Sequence, residues 1–380
     1  MQEIYQFLLS PDVTSTESDF YTMQSKRLEG SCQWVTQQAW FTHWEQAGVN
    51  SNSEILWLNG HPGTGKSVIS AFLIDQLKHS GHSCYYYFFK SSDVLKRTLE
   101  RCLLNIAYQI SLAEPTVRDK LRHLHEAQFN LVGAELLLLW QKIFVSNILP
   151  IYEQNRLPLF LIVDALDEAE NSIAIFPLLH TLRHIPNLRL CVTSRPSSEF
   201  SQQLILLENK VKINNHTITQ KDNIDDITYL VKTILFSLPL PEEVRTHIVD
   251  SVIQKAEGNL LWVSLVSKQM LKAGFNQESL LQVLQQVPPG MDQMYVDILE
   301  KMRIAPPKQK DMARWIILWT LSSFQPLRVS TLQEALEFKP PAEKVEALEY
   351  WVTELCGSFL VIDREKTVQP VYHRKVSSIH

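Results

Sequence analysis

Through the first half of the chain, short apolar runs alternate with amphipathic stretches. Ile55–Leu58, Cys84–Phe89, Leu159–Val163 and Leu188–Thr193 are strand-like, and a last strand is expected within Leu204–Ile213. Between them the spacing of apolar residues predicts helices over Lys66–Lys78, in stretches reaching about Ile148, and near Ser172–His184. Apolar strands separated by helices signal a parallel sheet covered on both faces. Ahead of this region, residues 1–25 read as polar and turn-rich, and a helical pattern runs from about Ser31 to Gln46.

Beyond Thr217 the strand pattern stops. Asp222–Phe236, Pro241–Lys255, Asn259–Lys272, Gln277–Gln286 and Met291–Met302 all carry helical spacing, broken at Pro288, Pro289 and Gly290. Asp222, Asp225 and Asp226 crowd the first turn of this array, where the helix dipole favours negative charge. The last stretch changes again. Helices over Lys308–Ser322, Ser330–Glu337 and Ala342–Cys356 precede two strand-like runs, Ser358–Asp363 and Val368–His373. Three helices followed by a hairpin is the layout of a winged helix.

Composition narrows the setting. An apolar fraction of 45% over 380 residues supplies large cores, and a net charge of −5 gives no reason to expect a nucleic-acid or anionic-membrane surface. The opening MQEIYQFLLSPD lacks a basic region before its short apolar stretch, so a secretory signal is not expected. No apolar run approaches the roughly 18–20 residues that span a bilayer. The five scattered cysteines read as buried thiols in a reducing compartment, which makes the cytoplasm the expected location.

The chemistry concentrates in three segments. Gly60, His61, Pro62, Gly63, Thr64, Gly65, Lys66 and Ser67 fit G-x-x-x-x-G-K-[ST], between an apolar strand and an apolar helix. Glycines let successive N–H groups converge on phosphate oxygens, and the helix adds its positive end. Lys66 would bridge the outer phosphates and the Ser67 hydroxyl would ligate Mg²⁺. The run Phe160–Asp164 ends in a carboxylate at the end of a strand, where open α/β sheets bind ligands, and Asp164 suits a Mg²⁺ contact. Asp167 and Glu168 follow; one could orient or deprotonate the attacking water, or both could merely cap the next helix. The strand Leu188–Ser194 leads to Arg195. If it lies between the other two strands, that guanidinium emerges beside the terminal phosphate; otherwise it is a surface arginine.

These segments resemble the NACHT class of STAND P-loop NTPases in its fungal, NLR-like form: LWLNGHPGTGKSVIS, FLIVDALDEAE and CVTSRP all match its pattern. The resemblance implies an α/β fold, with a P-loop NTPase parallel-sheet domain followed by an all-α helical lid and a winged helix. The boundaries then fall at 1–25 for a leader, 26–216 for the NACHT domain, 217–303 for the lid and 304–380 for the winged helix. It also implies that the leader around Arg27 folds over the adenine, and that His373 touches the phosphates. The expected ligand is ATP or ADP with Mg²⁺, GTP remaining open. The expected behaviour is a switch with slow NTP hydrolysis that forms homo-oligomers on activation, with sensor repeats and effector domain absent from this chain. Two other uses stay open, a dedicated P-loop enzyme such as a kinase and a winged-helix DNA-binding ATPase. Against the second, Glu343, Glu346, Glu349 and Glu354 face a single Lys344 on the candidate recognition helix, so phosphates would be repelled.

Overall fold

The computed structural model describes residues 7–8, 16–46, 52–91, 93–127, 131, 134–236, 238–274, 276–304, 306–323, 325–337, 348–356, 359–362 and 366–370. The chain divides into two compact units, residues 1–91 with 95–222, and residues 92–94 with 223–380.

The first unit is built on five parallel strands, β1 (Glu54–Asn59), β2 (Ser83–Phe88), β3 (Leu159–Asp164), β4 (Leu188–Ser194) and β5 (Lys212–Thr217), in the order β2-β3-β4-β1-β5. Strand alternation separates two cores. Ile55, Trp57, Tyr85, Tyr87, Leu161 and Val163 face one side, and Leu56, Leu58, Tyr86, Phe88, Phe160 and Ile162 the other. Central strands β3 and β4 are buried along their whole length, which is why they read as unbroken apolar runs.

Edge strand β5 departs from the expectation. The apolar stretch Leu204–Leu207 lies in a helix, Ser198–Glu208, started by the Ser197 hydroxyl accepting from the Phe200 N–H, and Ile205 and Leu206 are exposed. The strand follows it, half-exposed and mostly polar, because one side has no neighbour and the pattern that marks a buried strand is absent. The leader also differs. Residues Thr16–Lys26 form a helix, here α1, whose Asp19 and Phe20 are buried. The pattern expected from Ser31 to Gln46 is two helical pieces, Gln33–Thr36 and Ala39–Gln46. On the two faces of the sheet lie α2 (Lys66–His79) and α3 (Leu99–Ala113).

In the second unit, helices α4 (Gln220–Phe236, from Asn223 onward), α5 (Glu242–Ala256), α6 (Leu260–Ala273), α7 (Gln277–Gln286) and α8 (Met291–Ile304) share a core centred on Trp262. Its indole N–H donates to the Pro288 carbonyl at 3.0 Å, pinning the turn between α7 and α8. Lys255 donates to the carbonyls of Leu284 and Val287 at 2.6 and 2.9 Å, placing a cation at the C-terminal end of α7. A separate core around Ile316, Leu332 and Val352 joins α9 (Pro307–Ser322), α10 (Val329–Glu337) and α11 (Leu348–Leu355). Its wing has three antiparallel strands rather than a hairpin: β6 (Leu327–Arg328) pairs with β8 (Thr367–Pro370), which pairs with β7 (Leu360–Ile362). A strand of two residues leaves no periodic signal in sequence, so β6 was not expected. His373, Glu343, Lys344 and Glu346 lie outside the described residues.

Trp57 ties β1 to β4 through its indole N–H on Ser194 Oγ at 2.9 Å, and its ring stacks on Phe176. Trp57→Ala is expected to destabilise the first unit by about 3–5 kcal/mol, as large-to-small changes of buried aromatics do. Urea unfolding followed by intrinsic fluorescence measures it.

Candidate nucleotide site

At the end of β1 the chain turns through Gly60–Gly65 into α2. Gly63 and Gly65 have φ of 83° and 89°, a left-handed conformation that side chains resist. A Cβ on Gly60 would lie 2.8 Å from Thr64 Oγ1 and 3.3 Å from the Ile218 Cβ, so any larger residue here would force those side chains to shift. No side chain caps the start of α2, so its first-turn N–H groups remain available to an anion in the loop. His61 is exposed at the rim and Pro62 half-buried beside it. Thr64 is buried, its hydroxyl donating to the His61 carbonyl at 2.7 Å. Lys66 arches over the loop and donates to the carbonyls of Gly60 and His61 at 2.6 and 3.1 Å. Burial lowers its ammonium to a pKa of about 8, against the opposing pull of Asp167 and Asp164.

Asp164, at the end of β3, is almost wholly buried. Three hydroxyls donate to its carboxylate: Ser67 at 2.6 Å, Ser70 at 2.7 Å and Thr193 at 2.6 Å. Burial still raises its pKa, the three hydroxyls opposing. The next residue, Ala165, adopts a left-handed conformation (φ 55°, ψ 47°), and its N–H donates to Thr193 Oγ1 at 2.9 Å. That turn brings the following acids back over β4. The sheet order places β4 between β3 and β1, the arrangement on which the expectation for Arg195 depended. The backbone N–H of Arg195 donates to Asp167 Oδ1 at 2.9 Å, its Nε lies 3.1 Å from Asp167 Oδ2, and its Nη2 lies 3.5 Å from Glu168 Oε1. Glu168 also accepts the Ser91 N–H at 3.0 Å. Burial pushes its carboxyl up to about 7, helped by Asp167 and opposed by Ser91 and Arg195.

The structure therefore brings Lys66, Ser67, Asp164, Asp167, Glu168 and Arg195 to one end of the sheet. Arg27 has other company: its guanidinium stacks over the Phe72 ring at 5.2 Å and donates to the Ser31 carbonyl at 3.2 Å, tying the leader turn to α2. Sequence reasoning missed Ser70, Thr193 and Ser91. Ser70 could have been found, since it stands one helical turn beyond Ser67. It also missed an aromatic group on β5, the strand paired with β1 ahead of the loop. His216 of β5 stacks on Trp40 at 4.9 Å between centroids, and Trp34 lies 6.3 Å from His216. The indole N–H groups of Trp34 and Trp40 are buried without a hydrogen-bond partner among the described residues. His216 Nε2 is 3.5 Å from Asp222 Oδ1 without forming a hydrogen bond.

Residues 30–195 match the family described as Nephrocystin 3, N-terminal, and residues 299–378 match GPI inositol-deacylase, winged helix domain. The vegetative incompatibility protein HET-E-1 of Podospora anserina is 25% identical over 359 residues, covering 91% of this chain and 25% of that protein. The resemblance to NACHT-class P-loop NTPases holds. The chain spans about a quarter of the length of that relative. Among solved structures, Cdc6p from Pyrobaculum aerophilum matches with a TM-score of 0.40 at 13% identity, covering 96% of this chain and 94% of that one. AMPPCP-bound DnaA from Aquifex aeolicus matches with a TM-score of 0.37 at 14% identity, covering 87% of this chain and 82% of that one. No described helix is long and apolar enough to cross a membrane, and all five cysteines are buried thiols.

Thr193 both accepts from Ala165 and donates to Asp164, so Thr193→Val leaves two buried groups short of a partner. The expected cost is about 1–3 kcal/mol for each unsatisfied group, measured by chemical denaturation against wild type.

Proposed function

We propose that the first unit binds ATP or ADP with Mg²⁺, hydrolyses ATP slowly, and uses the exchange as a molecular switch. The observation that carries this reading is the convergence of a glycine-shaped loop, Lys66, the Ser67–Asp164 pair and the Asp167–Glu168–Arg195 cluster on one end of the sheet. The residues present suit the ligand. Loop N–H groups and the start of α2 would take the phosphates, and Lys66 would exchange its two carbonyls for phosphate oxygens. Ser67 and Asp164 would hold Mg²⁺, which when bound offsets negative charge on the phosphates.

The acids divide by their partners. Asp167 is occupied twice by Arg195, which fits a positioning role for the guanidinium. Glu168, held by one N–H and a longer contact, keeps a proton affinity near neutrality and is the better acceptor for the proton of an attacking water. The indoles of Trp34 and Trp40, without a hydrogen-bond partner among the described residues, supply with His216 ring N–H groups suited to the acceptor nitrogens of a purine. Adenine and guanine both offer such acceptors, so GTP is the second ligand to compare.

Similarity to a fungal vegetative incompatibility protein supports a signalling role in non-self recognition or cell death, with homo-oligomerisation on activation. Buried thiols support a reducing, cytoplasmic setting. Mass analysis of the nucleotide that co-purifies with the chain tests the ligand directly; a protein that purifies empty and binds neither ATP nor GTP by calorimetry overturns the reading.

Three outcomes follow. Lys66→Ala removes charge-assisted bonds worth about 1.5–3 kcal/mol, so nucleotide affinity by calorimetry should fall roughly ten- to a hundred-fold. Asp164→Asn should weaken Mg²⁺-dependent binding, whereas Glu168→Gln should retain binding and slow single-turnover hydrolysis. The pH dependence has a definite sign. With its carboxyl raised from 4.5 to about 7, Glu168 is neutral below that pH and unable to accept a proton. Hydrolysis should be full above about pH 7 and fall as the pH drops through it, roughly tenfold per unit. Glu168→Gln should flatten this limb.

A further inference from the structure

Helix α1 is fastened to the first unit by more than apolar contact. Phe20 packs 5.3 Å from the Tyr86 ring, and Lys78 lies over both rings. At the first turn, Thr16 donates to Asn105 Oδ1 at 2.8 Å. Between these anchors sits Asp19, with 1% of its surface exposed and two ammonium groups against it. Lys90 Nζ lies 2.6 Å from Oδ1 and Lys96 Nζ 2.5 Å from Oδ2. Lys96 is itself 4% exposed, so a charge that would be costly to bury alone is balanced by a carboxylate from α1.

Both lysines belong to the segment that follows β2. The Lys90 N–H donates to the Lys96 carbonyl at 3.3 Å, which draws its two ends together. Ser91, next to Lys90, donates its N–H to Glu168. Arg97, next to Lys96, accepts the Glu170 N–H at 2.6 Å and pairs with the Glu170 carboxylate at 2.6 Å. One carboxylate of the leader helix therefore grips both ends of a segment whose flanks hold the acidic stretch of the site.

We infer that α1 is a positioning element for the site: through Asp19 it holds Lys90 and Lys96, and through the Ser91 N–H it sets the place of the Glu168 carboxylate. Displacing α1 withdraws that hold and slows hydrolysis without emptying the nucleotide loop, since Gly60–Ser67 makes its own contacts to β4 and β3. This rests on the reading of Glu168 as the group that accepts the proton of water. Asp19 is a positioning residue and touches no reacting atom.

The test uses the full chain with Asp19→Asn and, because that variant leaves a buried ammonium, also with Lys90→Met, whose side chain is one-third exposed. Three quantities are read: amide hydrogen exchange of peptides covering Ser91 and, separately, α2; ATP affinity by calorimetry; and the single-turnover hydrolysis rate. The expected result is exchange at Ser91 at least tenfold faster, α2 protection and ATP affinity unchanged, and hydrolysis slower by about tenfold or more for Asp19→Asn and by less for Lys90→Met. Unchanged Ser91 exchange in a folded variant overturns the inference. Affinity and rate falling together overturn it as well, since that is what a merely structural fastening would give. Should Asp19→Asn fail to fold, Lys90→Met decides on the same readouts. A wild-type protein that binds ATP without hydrolysing it overturns the reading of Glu168 instead, and the exchange arm still decides whether α1 holds Ser91.

Discussion

A carboxylate almost without solvent, at the end of inner strand β3, constrains the first unit more than any other group. Asp164 cannot remain charged in that position unless donors surround it, and the three hydroxyls that do so come from α2 and β4. Their convergence fixes how α2 leaves the loop and how β4 lies against β3. Because Ser67 belongs to this set, the carboxylate also holds the end of the phosphate-type loop in place. The same hydroxyl of Thr193 anchors the N–H of Ala165, so the left-handed turn that redirects Asp167 and Glu168 depends on Asp164 too.

The remaining charges are arranged in pairs around that centre. Arg195 spends its backbone N–H and its guanidinium on Asp167 and Glu168, so neither acid stands as an isolated buried anion. Lys66 rests on two carbonyls, and burial lowers its proton affinity against the pull of Asp167 and Asp164. A phosphate brought against Lys66 would oppose the desolvation and raise its proton affinity again. Away from the sheet, charge is used structurally, as where Lys255 ends α7 in the second unit.

Aromatic side chains carry much of the packing that holds the site to its scaffold. Trp57 bridges β1 and β4, and Trp44 donates to the Glu54 carbonyl while meeting Phe160 edge-on. Trp34 and Trp40 are different in kind, because their N–H groups are buried without an acceptor among the described residues. Burying such a donor costs free energy, so this aromatic group has unfilled donors among the described residues.

By itself, the sequence determined the strands β1 to β4, the loop from Gly60 to Ser67 and the strand-end position of Asp164. Buried parallel strands and glycine-dependent turns leave a local mark that needs no partner to be read. It also marked Asp167, Glu168 and Arg195 as candidates, while their meeting depended on which strand lies between which. Strand order is a property of packing, and only the tertiary structure decided it. The same holds for edge strand β5, where half-exposure removes the apolar signature, and for two-residue β6, too short to have a period. It holds for α1, whose polar sequence conceals a buried Asp19 because the two lysines that neutralise it stand more than seventy residues away in the chain. Ser70, Thr193 and Ser91 acquired roles for that reason as well: a hydroxyl or an N–H has no function until folding places a buried carboxylate against it.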